Sequence, residues 1–396
     1  MKILYITLEN LSLHKGSVVH IKEVIDGLQK RGHQVGLIAS ASSKNKNVYH
    51  FYNIHPMTLF LLNFIDFKKK LYFISSLLLF LRLFKIIRHY DIIYARDFHT
   101  VIIALIPRLI FKKKLVFEIN GIANEEQRLK GDRIVNRVFA FLIRKAENIA
   151  TKCSDRIISV TPQIETYLAQ HFGCPQNKIE VVGNGVNTKI FRPIHDEGLL
   201  LDWKKRLGIM EEVAVIAFVG NLALWQGVNV LIDSAVTLLS KESKLKFLIV
   251  GEGVQKTVLV KKVLNSGFNG SFIFTGMVDY RDIPILINIA DICVAPFILK
   301  RNQETGVSPL KVFEYMACGK PVIASRIEGL EFIGTEGVGY LTEPGDTTSL
   351  EAAMHVLLHH DEKRVSMGQK GLKIASERFS WEYKVAEIQR IMEQLA

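Results

Sequence analysis

The chain has 396 residues, 48% of them hydrophobic and 23% charged, which supplies apolar material for sizeable cores in two domains and excludes global disorder. The formal net charge of +12 is uneven: residues 1–190 hold 28 Lys+Arg against 14 Asp+Glu, and the remainder 23 against 25, so an anionic partner is expected for the first half. The spacing of Cys153, Cys174, Cys293 and Cys318 fits neither a disulfide framework nor a zinc site, and suits a reducing, cytoplasmic compartment.

The first element, MKILYIT, is a short apolar run ending at Glu9 without a cleavage site; it is expected to be a buried strand and not a signal peptide. Further strands are expected at Gln34–Ala39, Ile92–Ala95, Leu115–Glu118, Arg156–Val160 and Ile179–Val182. The second half repeats the pattern at Val215–Val219, Lys246–Val250, Phe272–Thr275, Ile292–Pro296, Pro321–Ala324 and Gly339–Leu341. Helical periodicity falls between them, as at Val18–Arg31, Gly227–Leu239, Asp282–Ala290 and Ser349–Leu358. Strand–helix alternation with continuously apolar strands predicts an α/β chain with parallel sheets flanked by helices. Residues 191–212 are polar and weakly periodic and are expected to form a linker with one short helix. Two domains facing across a cleft follow, with ligands at the carboxyl ends of the strands.

Between Pro56 and Tyr90 the run LYFISSLLLFLRLFKIIRHY combines apolar residues with Arg82, Lys85 and Arg88, after Lys68, Lys69 and Lys70. It is too short to span a bilayer. It suits either an interfacial helix on an anionic membrane surface or a core helix with an exposed basic face. Aromatics are not interleaved with the basic clusters as nucleic-acid stacking requires, so no nucleic-acid partner is expected.

Several loops are suited to anions. Gly16 and Ser17 precede the first helix, where backbone amides can approach a diphosphate. His33 in RGHQV reads as part of a turn. Asn184 begins NGV, either a cleft-lining element or a plain turn. Gly220–Gly227 (GNLALWQG) has the strand–loop–helix form of a phosphate cradle, without the G-x-G-x-x-G of a dinucleotide site. Gly251–Gly253 (GEG) adds a second tight loop. The most informative segment is ETGVSPLKVFEYMACGKPVIAS. Pro309 suits the first helical turn with Ser308 as its cap, and Gly319 ends the helix. Lys311 and Glu314, three apart, share one helix face. There the carboxylate is suited to ribose hydroxyls, and Lys311 with the backbone amides to a diphosphate; the alternative is a surface Lys–Glu pair.

Taken together, KGSV with RGHQV, SDRIISVT, KIEVVGNGV, FVGNLALWQGVNVLI, FLIVGEG, FIFTGMV, ADICVAPF, SPLKVFEYMACGKPVIAS and FSWEYKVAEI resemble the retaining glycosyltransferases of family 4 (glycosyl transferases group 1). That family includes sucrose-phosphate synthases and bacterial lipopolysaccharide transferases. The resemblance implies a GT-B fold, with two Rossmann-like domains facing across a cleft. It implies an acceptor domain over 1–190, a linker over 191–212, a donor domain over 213–378 and a terminal helix over 379–396 crossing back to the first domain. The implied activity is sugar transfer from a UDP- or GDP-sugar to a glycan or lipid-linked acceptor in cell-envelope or exopolysaccharide synthesis, with no metal and no cofactor. The enzyme would be cytoplasmic and peripheral at the inner face of the membrane. The residues that match, or stand at matching loops, are Gly16, Ser17, Asn184, Gly220, Asn221, Gln226, Gly251, Glu252, Gly276, Gly306, Val307, Ser308, Pro309, Leu310, Lys311 and Glu314, all as donor contacts.

Departures are informative. Asn221 and Gln226 stand where the family often has Arg and Lys. Gly306 stands eight positions before Glu314 in place of a glutamate, with Glu304 the nearest substitute. Arg96 replaces the histidine that often follows the D-I-I-Y strand, with His99 nearby. The expected catalytic set is therefore Glu304, Lys311, Arg96 and His99. A nucleotide-sugar epimerase of the same fold and a non-catalytic degenerate subunit are the alternatives.

Overall fold

The computed structural model describes residues 1–11, 16–40, 80–81, 83–128, 134–299, 302 and 305–395. The chain divides into two compact units: Met1–Asn184 with Trp381–Ala396, and Gly185–Ser380.

The first unit is a six-stranded parallel sheet of β1 (Lys2–Asn10), β2 (Gln34–Ser40), β3 (Ile92–Ala95), β4 (Lys114–Ile119), β5 (Arg156–Ser159) and β6 (Ile179–Val181), ordered β2-β1-β3-β4-β5-β6. Ile3 pairs with Val35 on one side and Ile92 on the other, which fixes the register of the adjacent strands β2, β1 and β3. Helices cover both faces, so β1 is apolar at successive positions and Ile3, Leu4, Tyr5 and Ile6 are all fully buried. The helices are α1 (Gly16–Lys30), α2 (Phe98–Ile110), α3 (Ala123–Arg128), α4 (Ile134–Cys153) and α5 (Pro162–Phe172). Local chemistry sets their ends. On α5, Thr161 accepts from the Ile164 amide, Pro162 opens the first turn, and Gly173 closes the helix at φ +64°. On α1, Val18, Ile21, Val24, Ile25 and Leu28 form the buried stripe.

The terminal helix Trp381–Glu393 belongs to this unit and packs on α1, burying Trp381, Val385, Ile388, Ile391 and Met392. Of the apolar-basic run before Tyr90, most residues, Lys68–Lys70 and Arg82 among them, lie outside the described residues. Its described end packs inward, with Leu83 and Ile87 in the core while Lys85 and Arg88 are exposed.

The second unit repeats the plan with β7 (Ala214–Val219), β8 (Leu245–Val250), β9 (Phe272–Gly276), β10 (Ile292–Ala295), β11 (Val322–Ser325) and β12 (Gly339–Thr342), ordered β12-β11-β10-β7-β8-β9. Around it lie α6 (Glu197–Arg206), α7 (Val228–Leu239), α8 (Lys256–Asn265), α9 (Ile283–Ile289), α10 (Leu310–Ala317), α11 (Phe332–Thr335), α12 (Thr347–Leu358) and α13 (Asp361–Arg378). The 191–212 segment contains α6, capped by Asp196, and contributes fully buried Phe191 and buried Ile209 to the core of this unit. Among the described residues no helix is long and apolar enough to cross a membrane.

Gly27 lets α1 and the terminal helix approach: a Cβ there would stand 2.6 Å from Val385 Cγ2. Helix propensity favours alanine over glycine by about 1 kcal/mol, whereas overpacking costs about 1–3 kcal/mol. The contact is expected to win, so Gly27→Ala should lower stability in urea unfolding followed by circular dichroism.

Candidate active site

In each sheet the first strand, β1 or β7, has neighbours leading away in both directions, and the seam there is the place where a parallel sheet opens a crevice at its carboxyl edge. In the second unit the seam lies between β7 and β10. They pair through Ile292–Ile216 and Cys293–Ala217, while β7 runs on to Val219. The Tyr315 hydroxyl, from α10, fills the gap: it accepts from the Val219 amide at 2.7 Å and donates to the Val219 carbonyl at 3.3 Å.

Beyond Val219 the loops after β7, β8 and β9 are joined by backbone hydrogen bonds. Gly220 N–H donates to Val250 O at 2.9 Å, Leu222 N–H to Glu252 O at 2.8 Å, and Gly251 N–H to Gly276 O at 3.0 Å. Glycine is required at this closeness. Gly220 and Gly251 sit at φ +145° and +131°, and a Cβ on Gly251 would fall 2.0 Å from the Gly220 carbonyl oxygen. Gly276, at φ +72°, lies against Glu252, whose carboxylate pairs with Lys256.

Helix α10 brings Lys311 and Glu314 to this edge. Lys311 Nζ donates to Gln226 Oε1 at 2.6 Å and sits 3.8 Å from the centroid of the Phe218 ring. A Cβ on Gly220 would stand 2.7 Å from the same Nζ. The surface-pair alternative fails, because both side chains are buried. Burial pushes the Lys311 amine down to about 7, opposed by the Glu314 charge. Burial pushes the Glu314 carboxyl up to about 7, opposed by the Lys311 charge. Among the described residues the Glu314 carboxylate has no hydrogen-bond partner.

The start of α10 corrects one expectation. Ser308 is not the cap: Pro309 occupies the cap position at φ −84°, ψ 113°, with no side-chain hydrogen bond. Proline has no side-chain acceptor, so the residue at the cap position offers the first-turn amides no hydrogen bond. Gly306 turns the preceding loop at φ +64°, and Val307 and Ser308 are half-buried. Asn221 is exposed on the β7 loop, its Oδ1 beside Gly253. Glu304 lies outside the described residues.

In the first unit the seam lies between β1 and β3. Fully buried Glu118 on β4 gathers the polar groups there. Tyr94 donates to its Oε2 at 2.6 Å, and Arg96 Nε and Asn120 Nδ2 donate to its Oε1 at 2.9 Å and 2.6 Å. His20 Nε2 stands 3.0 Å from Oε1, with its Nδ1 2.7 Å from Asn184 Oδ1. Burial pushes the Glu118 carboxyl up, but His20, Arg96 and Tyr94 together outweigh it and hold the group well below the usual carboxylate range.

Arg96 Nη1 donates to the Ser17 carbonyl at 3.0 Å. Ser17, Arg96 and Asn184 therefore share one network. Arg96, expected as a free catalytic charge, is buried with Nε and Nη1 committed and its charge balanced by Glu118. His99 stands apart, its side chain 59% exposed, stacked on Phe98 and 3.7 Å from Asp97. Between Arg96 and α2, Asp97 adopts φ +140°, a strained conformation for a residue with a Cβ, while its side chain caps α2 at Thr100. Gly16 is exposed at the start of α1. Sequence reasoning missed Glu118 and His20; the available signals were a single acid in the apolar run LVFEI and a histidine on the apolar face of α1.

Two Rossmann-like units, each with a polar cluster at its seam, define a two-unit α/β protein of the GT-B class. Residues 14–190 match the model for Glycosyltransferase Family 4, and residues 201–374 the model for Glycosyl transferases group 1. The chain belongs to this glycosyltransferase family and is a transferase. It is 24% identical over 380 residues to an uncharacterized glycosyltransferase of Methanocaldococcus jannaschii, covering 93% of this chain and 91% of that one. Its fold is similar to that of sucrose-phosphate synthase from Thermosynechococcus elongatus, with a TM-score of 0.78, 19% identity and coverage of 100% and 98%. Anabaena HepE in complex with UDP-glucose is also similar, with a TM-score of 0.76, 20% identity and full coverage of both chains.

Glu118→Gln would leave Arg96 and His20 buried without their anion and should cost about 3–5 kcal/mol. The depressed carboxyl contributes stability above its unfolded value near 4.5, and this is lost as pH falls below it. Urea unfolding between pH 7 and 3.5 should therefore show a slope in the wild type that is reduced in Glu118→Gln.

Proposed function

We propose that the chain transfers a sugar from a UDP- or GDP-sugar to a glycan or lipid-linked acceptor, with retention of anomeric configuration, in cell-envelope or exopolysaccharide assembly. The observation that carries this reading is the buried Lys311–Gln226 contact beside an unpartnered Glu314, at the glycine-lined seam of the second unit. A buried ammonium held by one neutral acceptor and two aromatic faces is incompletely compensated. A diphosphate supplies the missing anion.

In this reading Glu314 accepts from the ribose hydroxyls. The backbone amides of Leu310 and Lys311 and the Lys311 ammonium hold the diphosphate, with Gly220, Asn221, Gln226, Gly251, Glu252, Gly276, Gly306, Val307, Ser308 and Pro309 forming the surrounding loops. As the glycosidic bond breaks, charge builds on the leaving nucleoside diphosphate, and the same groups stabilise it. Arg96 acts by holding the Ser17 turn to Glu118. The Anabaena neighbour was solved with UDP-glucose, so UDP-sugars are the first donors to test.

Transfer is tested by incubating the protein with UDP-, GDP- and ADP-sugars and a membrane extract, with products read by mass spectrometry. Donor converted without acceptor would instead mark an epimerase, and no donor consumed a non-catalytic subunit. Lys311→Met should lower kcat/KM by about 10²–10³. Lys311 is charged below about 7 in the free protein, so UDP affinity should fall as pH rises from 7 to 9. Calorimetry should show that fall in the wild type and not in Lys311→Met.

A membrane-surface acceptor is favoured by one further observation. Helix α4 leaves Ile134, Val135, Val138, Phe139, Phe141 and Leu142 exposed, and α2 leaves Ile106, Leu109 and Ile110. Arg137 and Lys145 are exposed on α4 and Lys112 and Lys114 beyond α2. An apolar face edged by basic residues suits an anionic bilayer surface. Co-sedimentation with vesicles containing phosphatidylglycerol should retain the wild type, and Phe139→Glu with Phe141→Glu should release it. Equal retention by neutral vesicles would argue against the charge component.

A further inference from the structure

Two imidazoles and a carboxylate converge at the ends of α7 and α12. Glu242 lies in the turn between α7 and β8, on the rim where β8 begins and away from the loops after β7, β8 and β9. His355 and His359 are one helical turn apart, His355 in the last turn of α12 and His359 as its C-cap residue. This spacing puts both rings on one side of the helix. His359 Nε2 is 2.7 Å from Glu242 Oε1, and His355 Nε2 is 3.7 Å from the same oxygen. The ring centroids are 4.6 Å apart, and one donor atom from each of the three residues lies within 4.8 Å of the others.

The two helices at whose ends these residues lie are packed together. Leu350, Met354 and Leu357 of α12 share a core with Leu231, Ala235 and Leu238 of α7. Ser234 Oγ donates to Thr347 O at 2.9 Å, and Lys241 pairs with Glu351 at 3.0 Å. An ordinary surface ion pair accounts for Glu242 with His359. It leaves His355 Nε2, 3.7 Å from the same oxygen, too far for a hydrogen bond of its own. A metal ion seated among the three donor atoms would take one ligand from each group.

We propose that Glu242, His355 and His359 form a binding site for a borderline divalent transition-metal ion of the zinc type. Two imidazole nitrogens and one carboxylate oxygen suit zinc, nickel or copper, whereas magnesium and calcium prefer all-oxygen sets. Three protein ligands at an exposed site leave a fourth position for water. The ion would tie the end of α12 to the turn entering β8 and so brace the second unit without touching the seam. Cysteine spacing gives no hint of such a site, because its ligands are histidines and a glutamate separated by more than a hundred residues and joined only by folding.

The test is calorimetric titration of the metal-free full chain with zinc chloride, paired with thermal unfolding. The wild type should bind one equivalent with micromolar or tighter affinity, and its unfolding midpoint should rise with zinc but not with magnesium. His355→Asn, His359→Asn and Glu242→Gln should each weaken binding on the order of tenfold or more, with little change of midpoint in the absence of metal for the two histidine variants, whose side chains are about half exposed. His360→Asn, whose ring contacts the Val356 carbonyl, should bind as the wild type does. No saturable one-equivalent binding, or binding that survives the double change His355→Asn with His359→Asn, overturns the proposal.

Discussion

A parallel sheet that grows in both directions from its first strand must part at one seam, and both units of this chain are organised by what they place there. At the β7–β10 seam the backbone of Val219 has outrun its strand partner, and the hydroxyl of Tyr315 substitutes for the missing strand. That bond fixes α10 against β7, and with it the positions of Lys311, one turn before Tyr315, and Glu314, immediately before it. Gly220 then leaves the sheet at a φ closed to other residues and brings its carbonyl against Gly251. The loops, the helix start and the buried lysine all depend on that one parting.

The two seams meet the cost of buried charge differently. In the first unit the carboxylate of Glu118 accepts from Tyr94, Arg96 and Asn120 and lies 3.0 Å from His20 Nε2, so its charge is met from within. Removing one member of such a network costs several kcal/mol, but the intact cluster asks for nothing further. In the second unit burial drives Lys311 and Glu314 each towards the neutral form, and neither is met by a charged hydrogen-bond partner among the described residues. A satisfied cluster shapes a loop; an unsatisfied one has room for a ligand. This contrast, more than the presence of charge at both edges, supports the different roles proposed for Arg96, as a positioning residue, and Lys311, as a binding residue.

Much of this was legible in the sequence because the signals are local. Continuous apolar runs mark strands buried on both faces, and each of the twelve expected strands overlaps an observed one. The segment around Glu314 also stands out, since a loop, helix and strand with those residues have few other uses. What was hidden is non-local. Glu118 sits in an apolar strand with nothing beside it in sequence to say that Tyr94, Arg96 and His20 close around it. Ser308 has the right residue type for a cap, but the geometry of Pro309 moves the helix start one residue on. Arg96 looks like a free charge until β4 supplies its carboxylate from 22 residues away.

The uneven charge of the chain acquires a physical meaning from this division. Residues 1–190 carry the whole positive excess, 28 basic against 14 acidic, while the remainder carries 23 against 25. If the excess existed to hold a diphosphate at the proposed site, it would be expected around Lys311, yet residues 191–396 are slightly acidic. The diphosphate needs fixed dipoles at short range, because only these strengthen as charge develops on the leaving group. A diffuse surplus acts over roughly a Debye length, about 8 Å at physiological salt, and serves to gather a partner rather than to stabilise a bond change. Charge of that kind beside the exposed apolar faces of α2 and α4 matches an extended anionic surface better than it matches a single small ligand, in keeping with the membrane-surface acceptor proposed above.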